Sequence, residues 1–132
     1  MHCRNMSTPT PELMHELDYV LAYLYKNPDL GLTYTKANSK LEGVTDASLE
    51  EGKSTSGYIV TWQGAGISWG STKQKSTSVS STEAEIYALS EGVKDLVYFR
   101  KFLAGLRERM TTPSNCSTDN KGARDLTPNR EY

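Results

Sequence analysis

Leu13, Leu17, Val20, Leu21 and Leu24 recur at the three- and four-residue intervals that stack side chains on one face of an α-helix. Thr10, Pro11 and Glu12 have the composition of a helix start, and Asn27-Pro28 that of a stop. Residues 1–9 are polar and precede this helix. Residues 32–35 then alternate in character and predict a short strand; residues 41–46 predict a second, ending at Asp46. Residues 57–62 and 67–71 are rich in β-branched and aromatic side chains. Gln63-Gly64-Ala65-Gly66 joins them, which predicts a hairpin with a short loop. The Ser/Thr-rich residues 76–81 predict an edge strand leading into a helix cap. A helical period returns from about 82 to 106, with Ile86, Leu89, Val93, Leu96 and Leu103 as its predicted buried face. Ser80 with Glu83, or Thr82 with Glu85, has capping-box spacing, and Glu83 is read as the partner of Ser80. Gly92, inside that helix, costs about 1 kcal/mol against alanine, so it predicts a close approach to the sheet. Residues 114–118 predict one more strand and residues 120–126 the start of a further helix.

The order is helix, antiparallel strands, helix, strand, helix start. Strands followed by a strand–helix–strand crossover build an α/β mixed sheet flanked by helices. At 132 residues the size is that of one domain, and no internal repeat interrupts it.

Composition narrows the chemistry. A net charge of −1 argues against a strongly basic nucleic-acid binder. It is compatible with a nuclease, whose acidic site offsets local basic patches. Cys3 and Cys116 are too few and too far apart for a disulfide framework or a zinc site, and read as free thiols of a reducing compartment. No run approaches the ~18 apolar residues that span a bilayer, and the N-terminus lacks a long apolar signal core. The expectation is a soluble intracellular protein, cytoplasmic by default.

Three carboxylates stand at the edges of predicted elements: Asp46 closing a strand, Glu85 in the first turns of a helix, and Asp119 after the last strand. Hard divalent cations take carboxylate oxygens contributed by separate elements, so the set suggests a metal site. Each residue also fits a plainer role: Asp46 a turn residue, Glu85 a capping partner, Asp119 a helix N-cap. Lys53, Lys73 and Lys75 flank the hairpin and suit phosphate contacts, with solvated surface as the plainer reading. Ser54, with Thr55 and Ser56, suits hydrogen bonds to a sugar-phosphate backbone or, equally, a strand edge. Trp62 and Trp69 read as core or sheet-face packing. His2 and His15 do not read as catalytic.

The ordered words Thr45-Asp46-Ala47, Ser54-Thr55-Ser56-Gly57-Tyr58, Ile67-Ser68-Trp69, Ser71-Thr72-Lys73-Gln74, Ser80-Ser81-Thr82-Glu83-Ala84-Glu85, Ala88-Leu89-Ser90-Glu91 and Thr118-Asp119-Asn120 cover most of the chain. With Asn27-Pro28-Asp29-Leu30-Gly31-Leu32 before them, they resemble the ribonuclease H domain of copia-type retrotransposon polyproteins, from about Arg4 to Leu126. The resemblance implies a ribonuclease H-like fold at 31–132 and an N-terminal tether helix segment at 1–30. It implies Mg²⁺-dependent hydrolysis of the RNA strand of RNA–DNA hybrids during reverse transcription, at a two-metal site. By residue-to-residue match, Asp46, Glu85 and Asp119 are its metal ligands. The chain departs from the family where Ser48 and Leu49 replace an acidic residue and a tryptophan, and where the segment from Asp46 to Ser54 is short. The fold's last helix and fourth carboxylate are expected to lie beyond Tyr132, which leaves a second metal short of a ligand. The alternative is a catalytically inactive, domesticated domain that serves as a subunit of a larger assembly. Its partner would then cover the apolar stripe of residues 13–24.

Overall fold

The structure, a computed structural model, describes residues 8–36, 39–108 and 110–126. The chain divides into a unit ending at Leu32 and a larger one beginning at Thr33. The first unit is built on α1, Pro11–Lys26, and it starts and stops where the sequence says. The Thr10 hydroxyl accepts the Leu13 N–H at 3.4 Å, and Pro11 occupies a first-turn position where its missing N–H costs nothing. At the other end the Asn27 amide donates to the Tyr23 carbonyl at 2.8 Å. Leu13 is half-buried; Leu17, Val20, Leu21 and Leu24 are exposed.

The second unit is a four-stranded sheet in the order β3-β2-β1-β4. Its strands are β1 (Leu41–Ser48), β2 (Thr55–Trp62), β3 (Ala65–Lys73) and β4 (Cys116–Thr118). β1–β2 and β2–β3 pair antiparallel, and β1–β4 pair parallel. The β2–β3 turn is tighter than the expected four-residue loop. Gln63 and Gly64 alone make it, with φ of 53° and 82°. Two consecutive positive-φ residues match the right-handed twist of a hairpin, and glycine takes the second at no steric cost. β1 runs two residues past Asp46, because the antiparallel ladder with β2 continues to Ser48 opposite Thr55.

Two expected strands do not form. Residues 32–35 make no ladder. The Thr35 N–H and the Tyr34 hydroxyl instead donate to the carbonyls of Gln63 and Gly66, tying residues 34 and 35 to the hairpin. Residues 76–81 lack an edge strand because side chains capture their polar groups first. The Ser78 hydroxyl donates to Gln74 Oε1 at 2.7 Å, and the Val79 N–H to the Glu83 carboxylate at 2.8 Å.

The long helix α2, Ser81–Gly105, crosses over from β3 to β4 and packs on β1 and β2. Ser80 caps it, accepting the Glu83 N–H at 3.1 Å as the spacing suggested, while the Glu83 carboxylate returns to the Val79 N–H rather than to that of Ser80. The buried face differs from the expected one. Leu96 and Leu103 are buried, but Ile86 and Val93 are exposed, and the N-terminal half buries Ala84, Glu85, Ala88 and Gly92. Small residues win there because the helix lies directly on the sheet. A Cβ on Gly92 would fall 2.4 Å from Thr45 Cγ2. Leu41 and Val60 complete the core with Leu96 and Leu103, and Tyr58, Trp62, Ile67, Phe99, Met110 and Cys116 pack around them. On the other face of the sheet, Val44, Ile59 and Trp69 stand in direct register across three strands, all exposed, Trp69 at 66%. Trp62 thus packs on the core, whereas Trp69 does not.

Two polar clamps hold the connections. Arg100 donates to the carbonyls of Thr112 and Met110 and to the Ser114 hydroxyl, fixing the path from α2 to β4. Gln74 is buried and fully engaged. Its N–H donates to the Ser54 carbonyl, and its side-chain amide donates to the Ser56 hydroxyl and the Ala84 carbonyl, each at 2.8 Å. It therefore joins β2, the loop after β3 and the first turn of α2. Gln74→Leu would leave several buried polar atoms without partners, at about 2–4 kcal/mol of stability for the network. Urea unfolding is expected to show a lower midpoint at an unchanged slope; a midpoint equal to the wild type would mean the network does not hold the helix.

Candidate metal centre

The parallel pairing of β1 with β4 sets the register of the site. Thr45 stands opposite Thr118, so the next residues, Asp46 and Asp119, emerge side by side. β4 stops at Thr118, which leaves Asp119 at an open strand end. Asn120 then caps α3, Lys121–Leu126, its side-chain oxygen accepting the Ala123 N–H at 2.9 Å. The third carboxylate arrives from α2. Glu85 lies in its second turn and is only 4% exposed.

Asp46, Glu85 and Asp119 each offer one carboxylate oxygen, and these atoms lie within 4.8 Å of one another. The expected convergence is therefore observed. Glu85 is held from both neighbouring strands: the Ala47 N–H donates to Oε1 at 3.2 Å, and the Thr118 hydroxyl to Oε2 at 3.0 Å. Asp46 and Asp119 are exposed. Among the described residues no lysine or arginine pairs with any of the three. Three clustered anionic oxygens without a cationic side chain form the donor set that a hard divalent ion prefers, and a soft or nitrogen-loving metal does not.

The other sequence candidates fall outside this cluster. Lys53, Lys73 and Lys75 are exposed, Lys73 with its Nζ 4.0 Å from Glu50. At that distance, with the lysine half in water, the pair contributes little and leaves the lysine available to an anion. Ser54 is a correction. It is 0% exposed, under the loop that Gln74 anchors, so its hydroxyl does not face a sugar-phosphate backbone. Cys116 is a free thiol pushed above its ordinary pKa by burial, while Cys3 and His2 lie outside the described residues. Thr118 and the Ala47 N–H are site groups that sequence reasoning gave no role. Nothing in the pattern marks them, because their partner Glu85 is more than thirty residues away.

No family model matches the chain. It is 40% identical over 97 residues to the secreted RxLR effector protein 161 of Plasmopara viticola, covering 70% of this chain and 68% of that protein. It is 36% identical over 129 residues, 94% of the chain, to the retrovirus-related Pol polyprotein from transposon RE1 of Arabidopsis thaliana. Its relatives thus include retrovirus-related Pol polyproteins of plant transposons. It spans about two thirds of the length of the first relative and 9% of the second. The fold agrees. A crystal structure of LC11-RNase H1 in complex with RNA/DNA hybrid aligns with a TM-score of 0.50 at 16% identity, over 70% of this chain and 67% of that one, so the fold is ribonuclease H-like.

Proposed function

We propose that this domain hydrolyses the RNA strand of RNA–DNA hybrids at a Mg²⁺ centre held by Asp46, Glu85 and Asp119, as part of a copia-type retrotransposon's reverse transcription. The observation that carries the reading is the meeting of three carboxylates, from β1, α2 and the end of β4, within 4.8 Å. A divalent ion bound there supplies Lewis-acid polarisation of a phosphoryl oxygen and neutralises charge at the reacting phosphate. The chain supplies the rest. Glu85, buried and hydrogen-bonded on both oxygens, is the rigid ligand, whereas the exposed Asp46 and Asp119 face the side from which ion and phosphate arrive. Lys53, Lys73 and Lys75 add a sequence-independent, salt-sensitive attraction for the phosphate backbone. Hybrids of this kind form inside the cell, which is where this reading places the domain. Among the described residues no helix is long and apolar enough to cross a membrane. In the same reading residues 1–30 are a tether rather than part of the catalytic unit.

The test is cleavage of an end-labelled RNA strand annealed to DNA. With Mg²⁺ or Mn²⁺ the RNA is expected to be cut internally and the DNA left intact. With EDTA, or with single-stranded RNA, no cutting is expected. An intact RNA strand in both metals would overturn the proposal.

A further inference from the structure

Thr118 offers no ligand atom to the carboxylate cluster, yet its hydroxyl touches both segments that flank it. The residue is 7% exposed and ends β4. A hydroxyl has one donor hydrogen and two acceptor lone pairs. Here the hydrogen goes to Glu85 Oε2 at 3.0 Å, and the oxygen accepts the Asn120 N–H at 3.3 Å. The second bond spans Asp119, the residue between the two, and closes the turn that presents it. Asn120 in turn starts α3 by accepting the Ala123 N–H. Among the described residues no other side chain or backbone group donates to Glu85 Oε2.

We propose that Thr118 is a positioning residue whose single hydroxyl fixes Glu85 of α2 against Asp119 of the β4 end. Divalent-ion affinity then depends on it although it binds no ion. The inference rests on the metal-centre reading above. Its physical basis is that the two carboxylates come from different elements, α2 and the end of β4, and this one hydroxyl is bonded to Glu85 and to the turn that presents Asp119. Glu85 is steadied by β1 through one backbone N–H, and that N–H does not reach Asp119. Without the hydroxyl, Glu85 Oε2 has no partner in a buried position and the turn at Asp119 loses its closing bond. Both ligands then sample other orientations, and the ion must restore their alignment at the expense of its own binding.

Valine tests this cleanly, since it keeps the branched shape of threonine and removes the hydroxyl. Mn²⁺ binding to the full chain would be measured by calorimetry for the wild type, Thr118→Val, Thr118→Ser and Asp46→Asn, with thermal unfolding in EDTA run beside it. Thr118→Val is expected to weaken Mn²⁺ binding about tenfold or more, the range seen when groups that orient metal ligands are removed, and Thr118→Ser to restore it to within about threefold. A purely structural threonine would show a lower unfolding temperature in EDTA and an unchanged Mn²⁺ affinity in the folded protein. If Thr118→Val fails to fold, Thr118→Ala removes the same hydroxyl without a branched methyl against α2. Wild-type binding that Asp46→Asn abolishes and the hydroxyl-free variants leave unchanged overturns the role of Thr118 alone. A wild type that binds no Mn²⁺ overturns the metal centre, and this proposal with it.

Discussion

Asp46→Asn is expected to abolish hybrid cleavage while leaving the fold in place. Asparagine keeps the size of the side chain and removes one of the three negative charges that converge on the centre. Loss of about 4 kcal/mol of transition-state stabilisation, a modest share of what a metal supplies to phosphoryl chemistry, corresponds to roughly a thousandfold in rate. The fold has little to lose. Asp46 is exposed, no described residue hydrogen-bonds to its carboxylate, and its backbone stays in the β1–β2 ladder opposite Gly57. Removing one charge from a like-charged cluster should even raise the unfolding temperature in EDTA, the usual trade of stability against function at such a site. Cleavage assays and thermal unfolding on the same preparation check both halves. Wild-type rates in the Asn variant would assign the hydrolysis to another group.

Gly92→Ala is expected to destabilise the domain although it improves helix propensity. On propensity alone the change in a helix interior gains about 1 kcal/mol. At this position the new Cβ would meet Thr45 Cγ2 at 2.4 Å and Tyr58 Cβ at 3.4 Å. The β-branched Thr45 belongs to β1 and cannot swing aside as a long flexible chain would, so helix and sheet must part. Overpacking of this kind costs about 1–3 kcal/mol, which outweighs the propensity gain and lowers the unfolding temperature by several degrees in a unit of this size. Gly105→Ala is the control. It lies in the same helix with nothing within 4 Å of a new Cβ, so it should be neutral or stabilising. If Gly92→Ala matched Gly105→Ala, the close packing of α2 on β1 would be wrong. Because Thr45 precedes Asp46, separation of the layers at Gly92 should also weaken ion binding.

These two residues show which parts of the molecule were legible from sequence. Asp46, Glu85 and Asp119 stood out because each falls beside an element boundary within an ordered set of family words, and their meeting follows once β1 and β4 are parallel neighbours. The caps of α1 and α2 were equally legible, since Thr10-Pro11 and Ser80 with Glu83 are local signals. The buried face of α2 was legible in part: Leu96, Leu103 and the close approach at Gly92 were expected, whereas a search for large apolar side chains favours Ile86 and Val93 over Ala84 and Ala88, which are buried for closeness to the sheet rather than for hydrophobicity. Residues 76–81 have strand-like composition, but their polar side chains find partners within a few residues, and that competition is invisible to propensity. Ser54, Gln74 and Thr118 were misread or unassigned for one reason. Their environment is set by partners distant in sequence, and a hydroxyl or an amide carries no pattern that says whether it will be buried or bathed in water.

The most direct measurement of the metal centre is anomalous diffraction from crystals of the domain grown with Mn²⁺. A peak is expected between the carboxylates of Asp46, Glu85 and Asp119, with oxygen distances in the range of a hard divalent cation and Glu85 still bonded to Ala47 and Thr118. The same crystals of Asp46→Asn should lack it. No peak there at saturating Mn²⁺, or one that survives in the Asn variant, would contradict the account.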